Sequence, residues 1–282
     1  MAKLNQVLIN DFISHRSASF WAAVLVVANT ALGLGSGAAN AQEGSAAAAA
    51  KALANPIPSM ISVPFQYNYD SGFGPSDGNA STLNIQPVIP ISINNDWNLI
   101  SRTILPVKKQ TDVFGDSGTQ SGLGDTVQSF WFSPKAPTAG GLIWGAGAAI
   151  YVPTSTDDLL GVGKWGGGPT VVGLKQNGPW TYGGLANHIW TFDDDSINST
   201  FVQPFVSYTT PEAWTYSLNA EATYNWNSNE WSAPVNANIS KVVNFGDQLV
   251  SLSGGAGYYA SSATGGPDGW RGRLVVTFLF PK

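Results

Sequence analysis

From Met60 onward, apolar and polar residues alternate with a period of two, in blocks of about ten residues separated by turn-forming residues. The clearest block is Trp214 to Trp226. One parity reads Trp214, Tyr216, Leu218, Ala220, Ala222, Tyr224 and Trp226; the other reads Thr215, Ser217, Asn219, Glu221, Thr223 and Asn225. A helix would mix the two sets, whereas an extended strand puts them on opposite faces. Aromatics close both ends of the apolar face and small residues fill its middle, the pattern of a strand that crosses lipid between two aromatic girdles. Ile61, Val63, Phe65, Tyr67 and Tyr69 alternate in the same way with Ser62, Pro64, Gln66 and Asn68. Leu274, Val276, Phe278 and Phe280 alternate with Arg273, Val275, Thr277 and Leu279.

Twelve such segments are predicted, near 60–69, 81–92, 97–107, 125–133, 142–152, 165–175, 180–192, 200–209, 214–226, 231–243, 249–260 and 270–280. In 200–209 both parities are mixed. Pro87, Pro90, Pro169 and Pro204 fall inside segments and are expected at bulges. The connections near 93–96, 134–141, 176–179, 210–213 and 244–248 are short. Those near 70–80, 108–124, 153–164, 193–199 and 261–269 are mostly longer, and 227–230 breaks the alternation. Short turns on one side and long loops on the other is the outer-membrane arrangement, and an even strand count brings both chain ends to the periplasmic side. Trp97, Trp131, Trp144, Trp165, Trp180, Trp190, Trp214, Trp226, Trp231 and Trp270 all lie near segment ends, where an indole at headgroup level keeps its ring apolar and its N–H wet. Ten residues rising ~3.3 Å each and tilted ~40° span ~25 Å, the height of the apolar band.

The fold class is therefore all-β: a single antiparallel transmembrane β-barrel of about twelve strands over residues 60–282. Composition agrees. Charged residues are 11% of the chain and aromatics 12%, with 11 Trp, and the mean hydropathy is near zero. Soluble domains carry about 25% charge. The competing fold is a soluble β-sandwich or jelly roll. The absence of cysteine excludes disulfides and thiolate chemistry, and a net charge of −5 argues against a nucleic-acid partner.

Lys3 and Arg16 precede an apolar run, Phe20 to Leu34, which is followed by Ala39-Asn40-Ala41. This reads as a signal peptide over 1–41, cleaved before Gln42. Residues 42–59 form an Ala-rich lead-in whose segment 45–55 either hangs in the periplasm or folds into the barrel mouth. With the leader removed, no apolar run of eighteen residues remains, so a membrane-embedded mature chain must be a barrel.

Several stretches resemble one family: residues 55–66 (NPIPSMISVPFQ), 83–106 (LNIQPVIPISINNDWNLISRTILP), 122–125 (GLGD), 156–166 (TDDLLGVGKWG) and 178–190 (GPWTYGGLANHIW). Together they are similar to the outer-membrane barrel proteins named after the meta-pathway of phenol degradation. The resemblance covers most of residues 55–282. It implies a barrel and a role in passing small, aromatic compounds, and it transfers no catalytic or binding residues.

An enzyme on the barrel rim would need a Ser–His or Asp–His arrangement. Beyond the leader only His188 is available, and it shares parity with Trp180, Tyr182, Trp190 and Phe192, which points it outward. Gly166-Gly167-Gly168 precedes Pro169 and no helix, so it is not a phosphate cradle. Asp157-Asp158 and Asp193-Asp194-Asp195 read as solvated loop charge, or as contacts to lipopolysaccharide through divalent ions. The polar parity places Arg102, Gln128, Asn219, Glu221, Asn236, Asn238, Arg271 and Arg273 on the lumen, where charges costly in lipid are tolerated. A barrel of this size has a backbone radius of roughly 12 Å and a lumen only several Å wide. The expected function is passive passage of small, mostly uncharged solutes without a cofactor or metal. The expected partners are outer-membrane lipid and lipopolysaccharide, the barrel-assembly machinery and the solute. The alternatives are a closed structural or surface barrel and, third, a rim hydrolase.

Overall fold

The computed structural model describes residues 38–281. The predicted leader lies outside them apart from Ala38–Ala41, which begin helix α1 (Ala38–Leu53). The chain divides into two units, Met1–Gln42 and Glu43–Lys282, and the second carries the whole sheet.

Fifteen strand segments follow the helix. The first eight are β1 (Ile61–Phe73), β2 (Gly78–Ile85), β3 (Val88–Ser92), β4 (Trp97–Thr111), β5 (Thr119–Leu123), β6 (Thr126–Pro134), β7 (Leu142–Val152) and β8 (Gly166–Asn177). The rest are β9 (Trp180–Thr191), β10 (Asn198–Thr209), β11 (Trp214–Ala220), β12 (Ala222–Asn225), β13 (Glu230–Phe245), β14 (Gln248–Ser261) and β15 (Trp270–Phe280). Three pairs, β2/β3, β5/β6 and β11/β12, are single strands interrupted once, which leaves twelve barrel strands. All neighbours are antiparallel. The sheet closes where β1 pairs with β15, from Ile61↔Phe280 to Asp70↔Arg271. Closure pairs the backbone along the wall and removes the free edge that lipid would not tolerate.

The segment boundaries agree with the alternation to within a few residues at most ends. Two of the expected long connections are instead strand. β1 and β2 run on to a turn at residues 74–77, and β4 and β5 to one at 112–118. Pro87 marks the β2/β3 interruption, and the β8–β9 ladder skips Gly168 and Pro169. Pro90 and Pro204 sit in register, and the bulges fall at Ser71/Phe73 and Ala233/Pro234.

The two parities divide as the pattern requires. On β15, Trp270, Leu274, Val276, Phe278 and Phe280 are exposed, while Arg273, Thr277 and Leu279 are buried. Aromatics form two belts. At the rim carrying Ile61 and Phe280, Trp97 meets Trp144 and Trp180 meets Tyr208, edge to face. Lys241 there lies 4.8 Å above the Trp214 ring, its ammonium held at the level where an amphipathic side chain reaches water. At the far rim Tyr224 packs against Trp226 and Trp231, and Tyr258 against Trp270.

Trp131 departs from the expected belt. It is 1% exposed and faces inward, with its indole N–H donated to Thr170 Oγ1 at 3.1 Å. It packs with Ile57, Val88, Ile100, Val172, Leu174 and Leu185. Gly145 makes room for it: a methyl on that residue would come 3.1 Å from Trp131 Cβ. A second interior cluster joins Ala46, Ala49 and Ala50 of α1 to Met60, Ala213, Val242, Leu249 and Leu279. The Ala-rich segment therefore folds into the barrel mouth. Gln176 Nε2 donates to the carbonyl of Lys51 at 2.9 Å and fixes the end of the helix.

Candidate functional site

The lumen has two unlike walls. The polar wall comes from β1, β13, β14, β15 and the break between β11 and β12. At that break Glu221 leaves the ladder, its N–H going to the carbonyl of Pro234 at 3.0 Å, and its carboxylate turns inward. Arg273 grips it with two bonds of 2.8 Å, and Arg271 Nη1 adds a third at 3.0 Å. Arg271 also holds Asp70 through Nε at 2.8 Å and Nη2 at 3.2 Å. Tyr259 OH donates to Asp70 Oδ1 at 2.8 Å, and Arg273 Nε donates to Asn68 Oδ1 at 2.8 Å. Planar forks meeting carboxylates in pairs are the strongest hydrogen bonds side chains make. Gly257 is required here, since a methyl on it would lie 2.3 Å from Asn236 Oδ1 and 3.1 Å from Arg271 Cδ.

The opposite wall is apolar. Ile100, Trp131, Val172, Leu174 and Leu185 are buried there, with Phe201 and Phe205 packed against them. The mixed parity of residues 200–209 is thus explained: β10 carries apolar groups on both faces. The lumen is amphipathic, where the sequence suggested a uniformly polar lining.

Between the walls lie two chambers. One, about 280 Å³, is floored by Ala50, Leu53, Asn55 and Pro56. The other, about 240 Å³, is lined by Gln66, Trp131, Leu185, Phe201 and Glu221 among others. Gln86, Arg102 and Gln203 border both. Arg102 Nη2 donates to Gln86 Oε1 at 2.6 Å, and no carboxylate among the described residues lies within 4.0 Å of it.

The structure brings Arg102, Glu221, Arg271 and Arg273 together on the lumen. Asn219 and Asn236 join them through a bond of 2.9 Å, and Asn238 takes the same parity two residues along. Gln128 does not. It pairs with Thr103 across β4–β6, whereas inward Arg102 pairs with Ser129. On the outer face Gln128 accepts from Thr103 Oγ1 at 2.6 Å and donates to Ser101 Oγ at 3.0 Å, so its amide is satisfied locally. Ser129 and Ser133, which share Trp131's parity, were the sequence signal for this register.

One element was missed. The loop between β7 and β8 folds back against the inner face of β4 and β5. Leu160 is 1% exposed, and its carbonyl accepts from Lys108 Nζ at 3.0 Å; Gln110 Nε2 holds the carbonyl of Leu159, also at 3.0 Å. Asp125 pins the loop by accepting the N–H groups of Ser155 (3.0 Å), Val162 (2.6 Å) and Gly163 (2.9 Å). The GLGD and TDDLLGVGKWG stretches, read separately in the sequence, are one contact.

His188 points outward into the far belt. Its Nδ1 is 2.9 Å from Thr200 Oγ1, and its ring lies against Trp190 and Trp226. The acidic loops do not gather: among the described residues no three metal-ligating side chains come together. Asp194 is held down to about 2 by the hydroxyl and backbone N–H of Ser196, with Lys164 3.5 Å away.

No family profile matches the chain, and no curated protein does. Among solved structures the chain is similar to an outer-membrane channel from Pseudomonas putida F1, with a TM-score of 0.62 at 16% identity over 80% of this chain and 97% of that one. The chain shares the fold of that channel, a closed antiparallel β-barrel. Two further similar structures are the KdgM porin (TM-score 0.46, 12% identity, 78% of this chain and 99% of that one) and outer membrane phospholipase A from Escherichia coli (0.47, 10%, 78% and 90%). For this barrel the lumen, with Arg102 between its chambers, is the candidate functional site.

Proposed function

We propose that this barrel is a passive outer-membrane channel for small, mostly uncharged solutes that carry an apolar, ring-bearing body. The observation that carries the proposal is the amphipathic lumen: two chambers meet at Gln86, Arg102 and Gln203, with Trp131, Leu185 and Phe201 on one side and the Glu221–Arg273 network on the other. An aromatic solute presents a flat apolar face to the first wall and a polar group to the second. The similar solved barrel is itself described as an outer-membrane channel, and the sequence resemblance to the phenol meta-pathway family supports aromatic cargo. The rim with both ends of the sheet then faces the periplasm, where the assembly machinery receives the chain. The opposite rim meets lipopolysaccharide.

The second reading, a closed barrel, is favoured by one observation: the Ala46–Ala49–Ala50 face of α1 is seated against Leu279, Val242 and Leu249 in the mouth. Planar-bilayer recording separates the two. A channel gives discrete conductance steps and passes small aromatic solutes in a proteoliposome flux assay; correctly folded protein giving neither is a closed barrel.

A further inference from the structure

We infer that Arg102 is the seat for the carboxylate of a small aromatic monoanion. The inference rests on the lumen being a solute path and adds aromatic acids, held by their carboxylate, to the mostly uncharged solutes proposed above.

The three lumen arginines are not equivalent. Arg271 and Arg273 are consumed by Asp70, Glu221 and Asn68. Among the described residues Arg102 donates to a neutral amide alone, Gln86 Oε1, through one of its five N–H groups. Glu221 has both oxygens occupied by the other two arginines and is not within ion-pair distance. Three guanidinium groups therefore face two carboxylates, and the surplus positive charge is at Arg102. Glu221 acts on Arg102 only across the chamber they both line, and a cation walled into a barrel without a carboxylate in direct contact is costly, so a carboxylate arriving from outside would reduce that cost.

The position selects the rest of the ligand. Arg102 borders both chambers, and Trp131, Leu185 and Phe201 line the chamber of about 240 Å³ with it. Clefts for drug-sized ligands run roughly 300–1,000 Å³, so this one takes a single ring. An aromatic acid would lay its ring on the apolar wall and offer two oxygens to the guanidinium fork. A bare inorganic anion would use the charge and leave the wall unsatisfied. A neutral alcohol would use the wall and leave the charge.

Full-length protein in planar bilayers, with potassium chloride as carrier, tests this with sodium benzoate and benzyl alcohol as probes. Benzoate is expected to interrupt the current in a concentration-dependent way, at concentrations roughly tenfold to a hundredfold below benzyl alcohol, the range a charge-assisted hydrogen bond supplies. In Arg102→Gln the interruptions, expressed as a fraction of that variant's own open current, should fall to the benzyl alcohol level; Lys175→Gln, which removes a positive charge on β8, should leave them unchanged. Equal potency of the two probes, or benzoate interruption that survives Arg102→Gln, overturns the inference. If Arg102→Gln fails to fold, Arg102→Lys keeps the charge without the fork and should weaken benzoate roughly tenfold; an unchanged response counts against the site. If the wild type shows no conductance, the channel reading fails, and calorimetric titration of benzoate into the detergent-folded protein still decides: a saturable site lost in the variant upholds the inference, and no binding overturns it.

Discussion

Glu221 and Arg273, 52 residues apart in the chain, face each other in a two-pronged bond, Nη1 to Oε1 and Nη2 to Oε2, each 2.8 Å long. The interruption of the β11/β12 strand exists at the residue whose side chain makes this bond. The backbone gives up a ladder position, and the carboxylate gains two guanidinium partners. Removing it strands charge on Arg273, which then has Asn68 alone.

Glu221→Ala should therefore destabilise the folded barrel by about 3–5 kcal/mol, the cost of leaving one member of a buried pair unpaired. The midpoint of urea unfolding in lipid, followed by the loss of the heat-modifiable folded band on a gel, measures it. A shift under 1 kcal/mol would mean that lumen water supports the arginines unaided.

Asp125 is the staple of the inward loop. Asp125→Ala removes the acceptor of three backbone N–H groups at once. The loop should detach from Lys108 and Gln110 while the strands persist. Limited trypsin treatment should then cut after the exposed Lys164 many times faster than in the wild type.

Asp194 gives a pH prediction. Its folded value of about 2 lies below the ordinary carboxylate value of 3.8, so its contribution to loop order is complete above roughly pH 4 and is lost as pH falls towards 2. A carboxyl carbon titration by NMR should show a midpoint near 2. A midpoint near 4 would show that the Ser196 and Thr191 contacts do not form.

The alanine face of α1 sits on an apolar patch of Met60, Val242, Leu249 and Leu279, where small side chains let the helix approach closely. Ala49→Asp puts a charge against it and should drive the helix out of the mouth. Single-channel conductance should rise relative to the wild type. Unchanged conductance would mean that the helix does not limit the path.

How much of this was legible depended on how different the two faces of each strand were. In Trp214–Trp226 lipid and lumen demand opposite chemistries, so strand, parity and lumen residues were all readable. In residues 125–133 Phe130, Trp131 and Phe132 place aromatics on both faces, and the register of Gln128 was read one residue out. β8 to β10 bury apolar groups inside the barrel as well as outside it, so the apolar wall left no alternation to follow. The contact between Asp125 and the 155–163 backbone was invisible because its acceptors and donors belong to different parts of the chain and its donors are backbone groups, which no side-chain pattern marks.

The most direct test of a sealed cylinder with a wet polar wall inside and a lipid-clad outside uses the natural absence of cysteine. Single cysteines placed in turn at 215 to 219 on β11 can be treated with a water-soluble, membrane-impermeant thiol reagent while the protein sits in lipid. The account predicts labelling at 215, 217 and 219, protection at 216 and 218, and the same alternation on β15. Uniform labelling of both parities, or labelling of 216 and 218 alone, would contradict it.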